Sequence, residues 1–213
     1  MYRFYRYKTD RPFYDTNKKF YVCSYGGCGS QILCHYLGNF GDVYHLHSRC
    51  PPEKLKNTGY NDGRTYSEWF SYTDIPESEL HKYKVIFLYR NPIDVIYSRY
   101  INSPAMLKNI ECKDTSISVE DCIAKQQDLF ELENFFDNYT NHKLKNYPIY
   151  CIKYDTFWDN ISILNKLLNI PDISYLYPIK KESNNLIQNR EDLELIYKSL
   201  NDKINNMSFI EIR

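Results

Sequence analysis

The sequence predicts an α/β fold, a three-layer sandwich in which helices cover both faces of a central, mostly parallel sheet. Two observations lead to it. Short apolar runs of strand length alternate along the chain with segments whose apolar residues recur at helical spacing. Two of these runs also end in turns suited to an anion, and ligands of parallel sheets bind beyond the carboxyl ends of the strands.

Taken in order, Lys19-Phe-Tyr-Val-Cys-Ser24 reads as a short buried strand and Tyr25-Gly-Gly-Cys-Gly-Ser30 as the turn after it. From Gln31 to Phe40, Ile32, Leu33, Tyr36 and Leu37 fall on one helical face, and Gly41 ends the helix. Asp42-Val-Tyr-His-Leu-His47 alternates like a second strand, and a loop-rich region follows to Pro76, with a short helix expected at residues 66–72. The run from Lys84 to Tyr89 is a third strand. It ends at Arg90, turns at Asn91-Pro92 and enters an amphipathic helix, where Pro92 suits a first turn whose N–H has no intrahelical partner. Ser118 opens a helix expected to reach Tyr139, with Glu120 and Asp121 at its positive end. Pro148-Ile-Tyr-Cys-Ile-Lys153 is a fourth strand. A helix from Asp155 aligns Phe157, Ile161, Leu164 and Leu168 and stops before Pro171, and a last helix from Glu191 to Asn205 carries Leu193, Ile196, Tyr197 and Leu200. The first seventeen residues, basic and aromatic, read as an arm on a single domain of 213 residues.

Composition narrows the function. The chain is 43% hydrophobic and 25% charged, and its 27 basic residues balance 27 acidic ones. There is no global field to attract nucleic acid or an anionic membrane, so any anion site is local. No apolar stretch approaches the roughly 20 residues of a membrane span, and the amino terminus lacks the apolar region of a secretory signal. Seven cysteines, an odd number set mostly within predicted strands and helices, point to reduced thiols in a cytoplasmic setting.

The glycines of Gly26-Gly27-Cys28-Gly29 free backbone N–H groups to converge on one anion, and the helix dipole adds roughly half a positive charge there. The turn lacks the Gly-Lys-Ser/Thr ending of nucleotide triphosphatases, since nothing stands between Gly29 and Ser30, and this argues against a nucleotide kinase. On the second turn, Arg90 sits at the strand's edge with Ser98 roughly 12 Å further along the helix axis. A guanidinium and a hydroxyl flanking a βα turn suit a phosphate.

Together the two turns resemble the sulfotransferases that use 3′-phosphoadenosine 5′-phosphosulfate (PAPS). Arg90-Asn-Pro-Ile-Asp94-Val-Ile-Tyr-Ser98 fits their Arg-Asn/Asp-Pro-x-Asp-x-x-x-Ser motif at every defined position. Ser24-Tyr-Gly-Gly-Cys-Gly-Ser30 fits their Pro-Lys/Arg-Ser-Gly-Thr-Thr loop in frame and context but not in chemistry. Cys151-Ile-Lys-Tyr154-Asp-Thr-Phe157 is similar to their strand with Tyr-Glu-x-Leu. The resemblance implies that Gly26, Gly27, Cys28, Gly29, Ser30 and Gln31 cradle the 5′-phosphosulfate, that Arg90 and Ser98 bind the 3′-phosphate, and that Tyr154 lies near the adenine. It implies PAPS as co-substrate, PAP as product, and a hydroxyl or amine on a small molecule, glycan or peptide as acceptor. No nucleic-acid, membrane or metal partner is expected.

The family's loop cation would fall at Gly27, and losing such a donor costs about 10²–10³ in rate in comparable systems. Arg49, Lys19 and Arg64 are candidate substitutes, with Arg49 favoured because it follows a strand whose end faces the same cleft. His45 and His47 alternate along the second strand, and the segment after them is similar to the family's Lys-Thr-His-x-x-Pro. His47, nearer the strand end, is the expected general base and His45 the second choice. Competing readings stand beside these. The two histidines could be structural, or could join Cys50 as an incomplete zinc set. Cys28 at a helix start could be a nucleophile. Lys180 and Lys181 could extend the phosphate contacts, and Trp69, Phe70 and Tyr72 could line an acceptor pocket. The loss of the cation at Gly27 could also mark a PAPS-, PAP- or glycan-binding pseudoenzyme.

Overall fold

The computed structural model describes residues 12–46, 48–57, 73–101, 116–141, 145–173, 177 and 189–213. Most of the expected arm, the expected helix at 66–72, and the residues Arg64, Trp69, Phe70, Tyr72, Lys180 and Lys181 lie outside the described residues.

Four strands run parallel in the spatial order β2-β1-β3-β4: β1 (Lys19–Cys23), β2 (Asp42–Leu46), β3 (Tyr83–Tyr89) and β4 (Ile149–Lys153). An antiparallel strand, β5 (Ile210–Ile212), lies beside β4 at the edge. The inner strands are apolar and buried from Phe20 to Cys23 and from Val85 to Tyr89 because helices cover both of their faces. In chain order the helices are α1 (Ser30–Leu37), α2 (Pro92–Val95), α3 (Val119–Lys125), α4 (Leu132–Thr140), α5 (Phe157–Leu167), α6 (Arg190–Ile196) and α7 (Lys198–Asn206). A π-helical turn (Ile96–Ile101) continues α2. Among the described residues no helix is long and apolar enough to cross a membrane.

The strand order positions the site. The chain steps outward from β1 to β2, returns to the other side of β1 as β3, and steps outward again to β4. Right-handed crossovers then place α1 on one face and the β3-to-β4 helices on the other. The register sets Cys23 beside Phe87, so the carboxyl ends of β1 and β3 are neighbours at the topological switch point, where ligands of such sheets bind.

Aromatic residues fill both layers. On one face, α4 lays Phe135, Phe136 and Tyr139 against β3, with the Phe87 and Tyr139 rings stacked at 4.4 Å and the Tyr89 and Phe136 rings edge to face at 5.2 Å. Elsewhere in the core, α1 and α5 are tied by the buried Tyr36 hydroxyl, which donates to Asn165 Oδ1 at 3.0 Å. The expected stripe Phe157, Ile161, Leu164 and Leu168 is buried, and Asn169 turns the chain left-handed after it.

The helix expected over 118–139 is two helices. Ser118 caps the first through a reciprocal capping box with Asp121, but Gln126 at φ 50° ends it and Glu131 at φ 54° precedes the second. The intervening turn buries Phe130 and lets the Asp128 carboxylate accept from the Glu133 N–H and the Tyr197 hydroxyl. The last helix likewise divides at Tyr197, whose ring is drawn into the core. The edge strand β5 and a 3₁₀ turn (Glu77–Lys82) carry no periodic signal and were not anticipated.

Because Phe87 is fully buried and meets four aromatic rings of α4 and its own strand, Phe87→Ala should cost about 3–5 kcal/mol. Urea unfolding should show a lower midpoint with an unchanged slope. A loss within a few tenths would contradict this packing.

Candidate anion-binding site

The turn after β1 is folded tightly by its glycines. Gly26 and Gly27 have φ values of 82° and 66°, which side-chain-bearing residues rarely adopt. Ser24 Oγ accepts from the Gly26 N–H at 3.3 Å and donates to Ser30 Oγ at 3.0 Å, and Ser30 Oγ lies 2.8 Å from His45 Nε2. A buried polar chain thus joins β1, the first residue of α1 and β2 beneath the turn.

The second turn is fixed by its own side chains. Asn91 Oδ1 accepts from the Ile93 N–H at 2.9 Å and caps α2, with Pro92 at its first position. Arg90 is clamped by two carboxylates: Nη2 lies 2.9 Å from Asp94 and Nε donates to Asp155 at 3.3 Å. Asp155 also accepts from the Asn91 N–H.

The two turns touch at several points. The buried Tyr25 hydroxyl donates to the Arg90 carbonyl at 2.7 Å and accepts from the Arg90 N–H at 3.1 Å. A Cβ on Gly27 would lie 3.3 Å from the Val95 backbone and 3.5 Å from Ser98 Cβ. The Tyr154 ring packs on Gly29, where a Cβ would overlap it, and the Arg90 guanidinium lies 5.3 Å from its centroid. On Gly26 lies Arg99, whose Nε would stand 2.8 Å from a Cβ there.

Arg99 is 7% exposed, and among the described residues its Nε and Nη2 are buried without a hydrogen-bond partner. Burying an ion without partners costs several kcal/mol. Left-handed glycines that free N–H groups, a helix start and an uncompensated guanidinium together fit a bound anion.

The structure brings most of the expected residues to one place: residues 26–30, Arg90, Ser98 and Tyr154 pack together beyond the ends of β1 and β3, and Gln31 is exposed in the first turn of α1. Gly27, where the resemblance asks for a cation, has neither the φ nor the space for one. Arg49, the favoured substitute, braces the turn before α4 instead. Its Nη2 donates to the Phe130 carbonyl at 2.9 Å and its Nη1 pairs with Glu131 at 3.4 Å. Lys19 pairs with Asp42 at the amino ends of β1 and β2, away from the crevice. His47 lies outside the described residues, directly after β2. His45 is buried against Ser30. Cys28 is a packed thiol: it donates to the Gly26 carbonyl, and burial raises its pKa, which opposes a role as nucleophile. Tyr25, Asp155 and Arg99 were missed. No spacing rule marks a turn-bridging tyrosine, and a regular helix gives no reason to aim Arg99 at the glycine turn.

The sequence model of the sulfotransferase domain matches residues 60–175, or 116 of 213 residues, more than half of the chain. That span holds the Arg90–Ser98 segment and Tyr154 but begins after the glycine turn, which joins the site through the fold alone. No curated protein and no solved structure matches the chain significantly.

Burial, then the charges of Arg99 and His35, hold the His45 pKa down to about 4 from an ordinary 6.5. Between these values the unfolded chain binds a proton that the native chain does not. This contribution to stability is therefore full above pH 6.5 and is lost as the pH falls toward 4. Urea titrations across that window should show a loss of up to about 3 kcal/mol that His45→Gln flattens. An identical pH slope in the variant would contradict a buried neutral imidazole.

Proposed function

The chain belongs to the sulfotransferase domain family, and on that premise we propose that it transfers a sulfuryl group from PAPS to a hydroxyl or amine of a small-molecule, glycan or peptide acceptor. The observation that most supports this reading is the meeting of two anion-suited turns at one switch-point crevice. A donor with a phosphosulfate at one end and a 3′-phosphate at the other needs two such turns side by side.

When bound, PAPS supplies a sulfuryl group carried on a phosphate leaving group. The backbone N–H groups of residues 27–30 and the Ser30 hydroxyl hold the phosphosulfate end, while the Gly26 N–H is held by Ser24 Oγ. Ser24 and His45 orient that hydroxyl from below. Arg90 and Ser98 take the 3′-phosphate. Asp94 and Asp155 keep the Arg90 guanidinium in place beforehand, and part of that pairing yields to the phosphate. Tyr154, between Gly29 and Arg90, offers a ring to the adenine. His47, immediately after β2, takes the acceptor's proton; an imidazole titrating near neutrality suits that work. The unpaired cysteines among the described residues support a reducing, cytoplasmic setting.

Gly27 favours a second reading, a protein that binds PAPS, PAP or a glycan without transfer, because the loop carries no cation of its own. Calorimetry with PAP, followed by a radiolabelled sulfate-transfer assay over sugars and phenols, separates the two. Arg90→Ala should abolish PAP binding. His47→Ala should preserve binding and lower transfer by about 10²–10⁴-fold. Equal loss of PAP binding in both variants would contradict these roles, and binding without any transfer by the wild type would favour the second reading.

A further inference from the structure

A sulfotransferase loop without its cation poses a physical problem. As the sulfuryl group leaves, negative charge collects on the bridging oxygen, and backbone dipoles alone meet it less well than a fixed positive charge does. Gly27 cannot supply that charge, and the sequence neighbours Arg49 and Lys19 are engaged elsewhere.

Arg99 satisfies each requirement. Its side chain lies along Gly26, with Nε, Cζ and Cδ at 2.8, 3.1 and 3.2 Å from where a Cβ would be, at a residue whose φ of 82° itself favours glycine. It is more than nine-tenths buried, and Nε and Nη2 have no partner among the described residues. Its charge is felt on both sides of the turn, by the Cys28 thiol and by the His45 imidazole. The π-helical turn (Ile96–Ile101) takes in an additional residue compared with an α-helix, which shifts downstream side chains about the axis. As a result Ser98 and Arg99, adjacent in sequence, both face the glycine turn: Ser98 against Gly27 and Arg99 against Gly26.

We infer that Arg99 is the cation of the first loop, supplied from the segment after β3 of the same chain and through space to the position that Gly27 leaves without a charge. The inference rests on the PAPS reading above. In the transfer, the bond between sulfur and the bridging phosphate oxygen breaks and its electron pair stays on that oxygen. A bond forms from sulfur to the acceptor oxygen or nitrogen, and the acceptor's proton passes to the general base. The Arg99 guanidinium donates to the phosphosulfate oxygens throughout and meets the charge left on the bridging oxygen. Ser98 and Arg99 then divide one donor between its two ends, with the hydroxyl toward the 3′-phosphate and the guanidinium toward the 5′ end.

The test compares PAP with adenosine 3′-monophosphate, which lacks the 5′ group, as ligands for wild type, Arg99→Gln and Arg90→Ala. Arg99→Gln should weaken PAP about tenfold or more, in keeping with the loss of charge-assisted hydrogen bonds, and leave the 3′-monophosphate unchanged. Arg90→Ala should weaken both. The ligand-free Arg99→Gln protein should melt at or above the wild-type temperature, because the substitution removes a buried charge whose Nε and Nη2 have no partner among the described residues. Should Arg99→Gln not fold, Arg99→Lys should show the same selective loss for PAP to a smaller extent. PAP affinity unchanged in the Arg99 variant, or equal weakening of both ligands, would overturn the assignment of Arg99 alone. Failure of the wild type to bind PAP at all would overturn the donor reading, and this inference with it.

Discussion

The contact between the glycine turn and the helical segment after β3 is the constraint from which the rest of this structure follows. Parallel order β2-β1-β3 brings the ends of β1 and β3 together, but strand order alone would leave two separate turns. They become one site because Gly26 and Gly27 present no side chains, so that Arg99, Val95 and Ser98 pack directly on the backbone. Tyr25 then locks the pair, using its hydroxyl both as donor and as acceptor to the backbone of Arg90. Any side chain at Gly26 would have to push out the buried guanidinium, and one at Gly27 would have to push back α2.

Within a chain of zero net charge, the field at this crevice is built locally and by two different means. Arg90 is compensated, held between Asp94 and Asp155, so its direction is set at small cost. Arg99 Nε and Nη2 have no partner among the described residues, and a bound anion would relieve the cost of burying them so. The donor proposed above would meet both: one cation ordered in advance, and one whose pairing would come from the ligand. The buried series Ser24, Ser30 and His45 supports the turn from below with neutral hydrogen bonds, and the depressed His45 pKa keeps it neutral at physiological pH.

Much of this was legible in the sequence, for reasons that differ from residue to residue. The parallel sheet followed from apolar runs alternating with helical periods, which is direct physics of burial on two faces. Arg90 and Ser98 were legible because Asn91-Pro92 fixes a βα turn locally, and Asn91 does cap that helix. The glycine turn was legible as a turn between a strand and a helix, but glycine-rich turns are common there, and it pointed to an anion only together with the Arg90–Ser98 segment. The break at Gln126 was not, because it is decided by tertiary contacts of Phe130 and Asp128 that no local pattern records. Arg99 escaped for a related reason. Sequence spacing assumes 3.6 residues per turn, and the π turn departs from that at the one place where it matters. Along the sequence Arg49 is the nearer cation to the cleft, but the fold uses it to brace the turn before α4.

The most direct test of the account is a crystal structure of the protein with PAP. It should place the 5′-phosphate on the N–H groups of residues 27–30 within hydrogen-bond reach of Arg99, with the 3′-phosphate on Arg90 and Ser98. PAP bound in the opposite sense, or touching only one of the two turns, would contradict it.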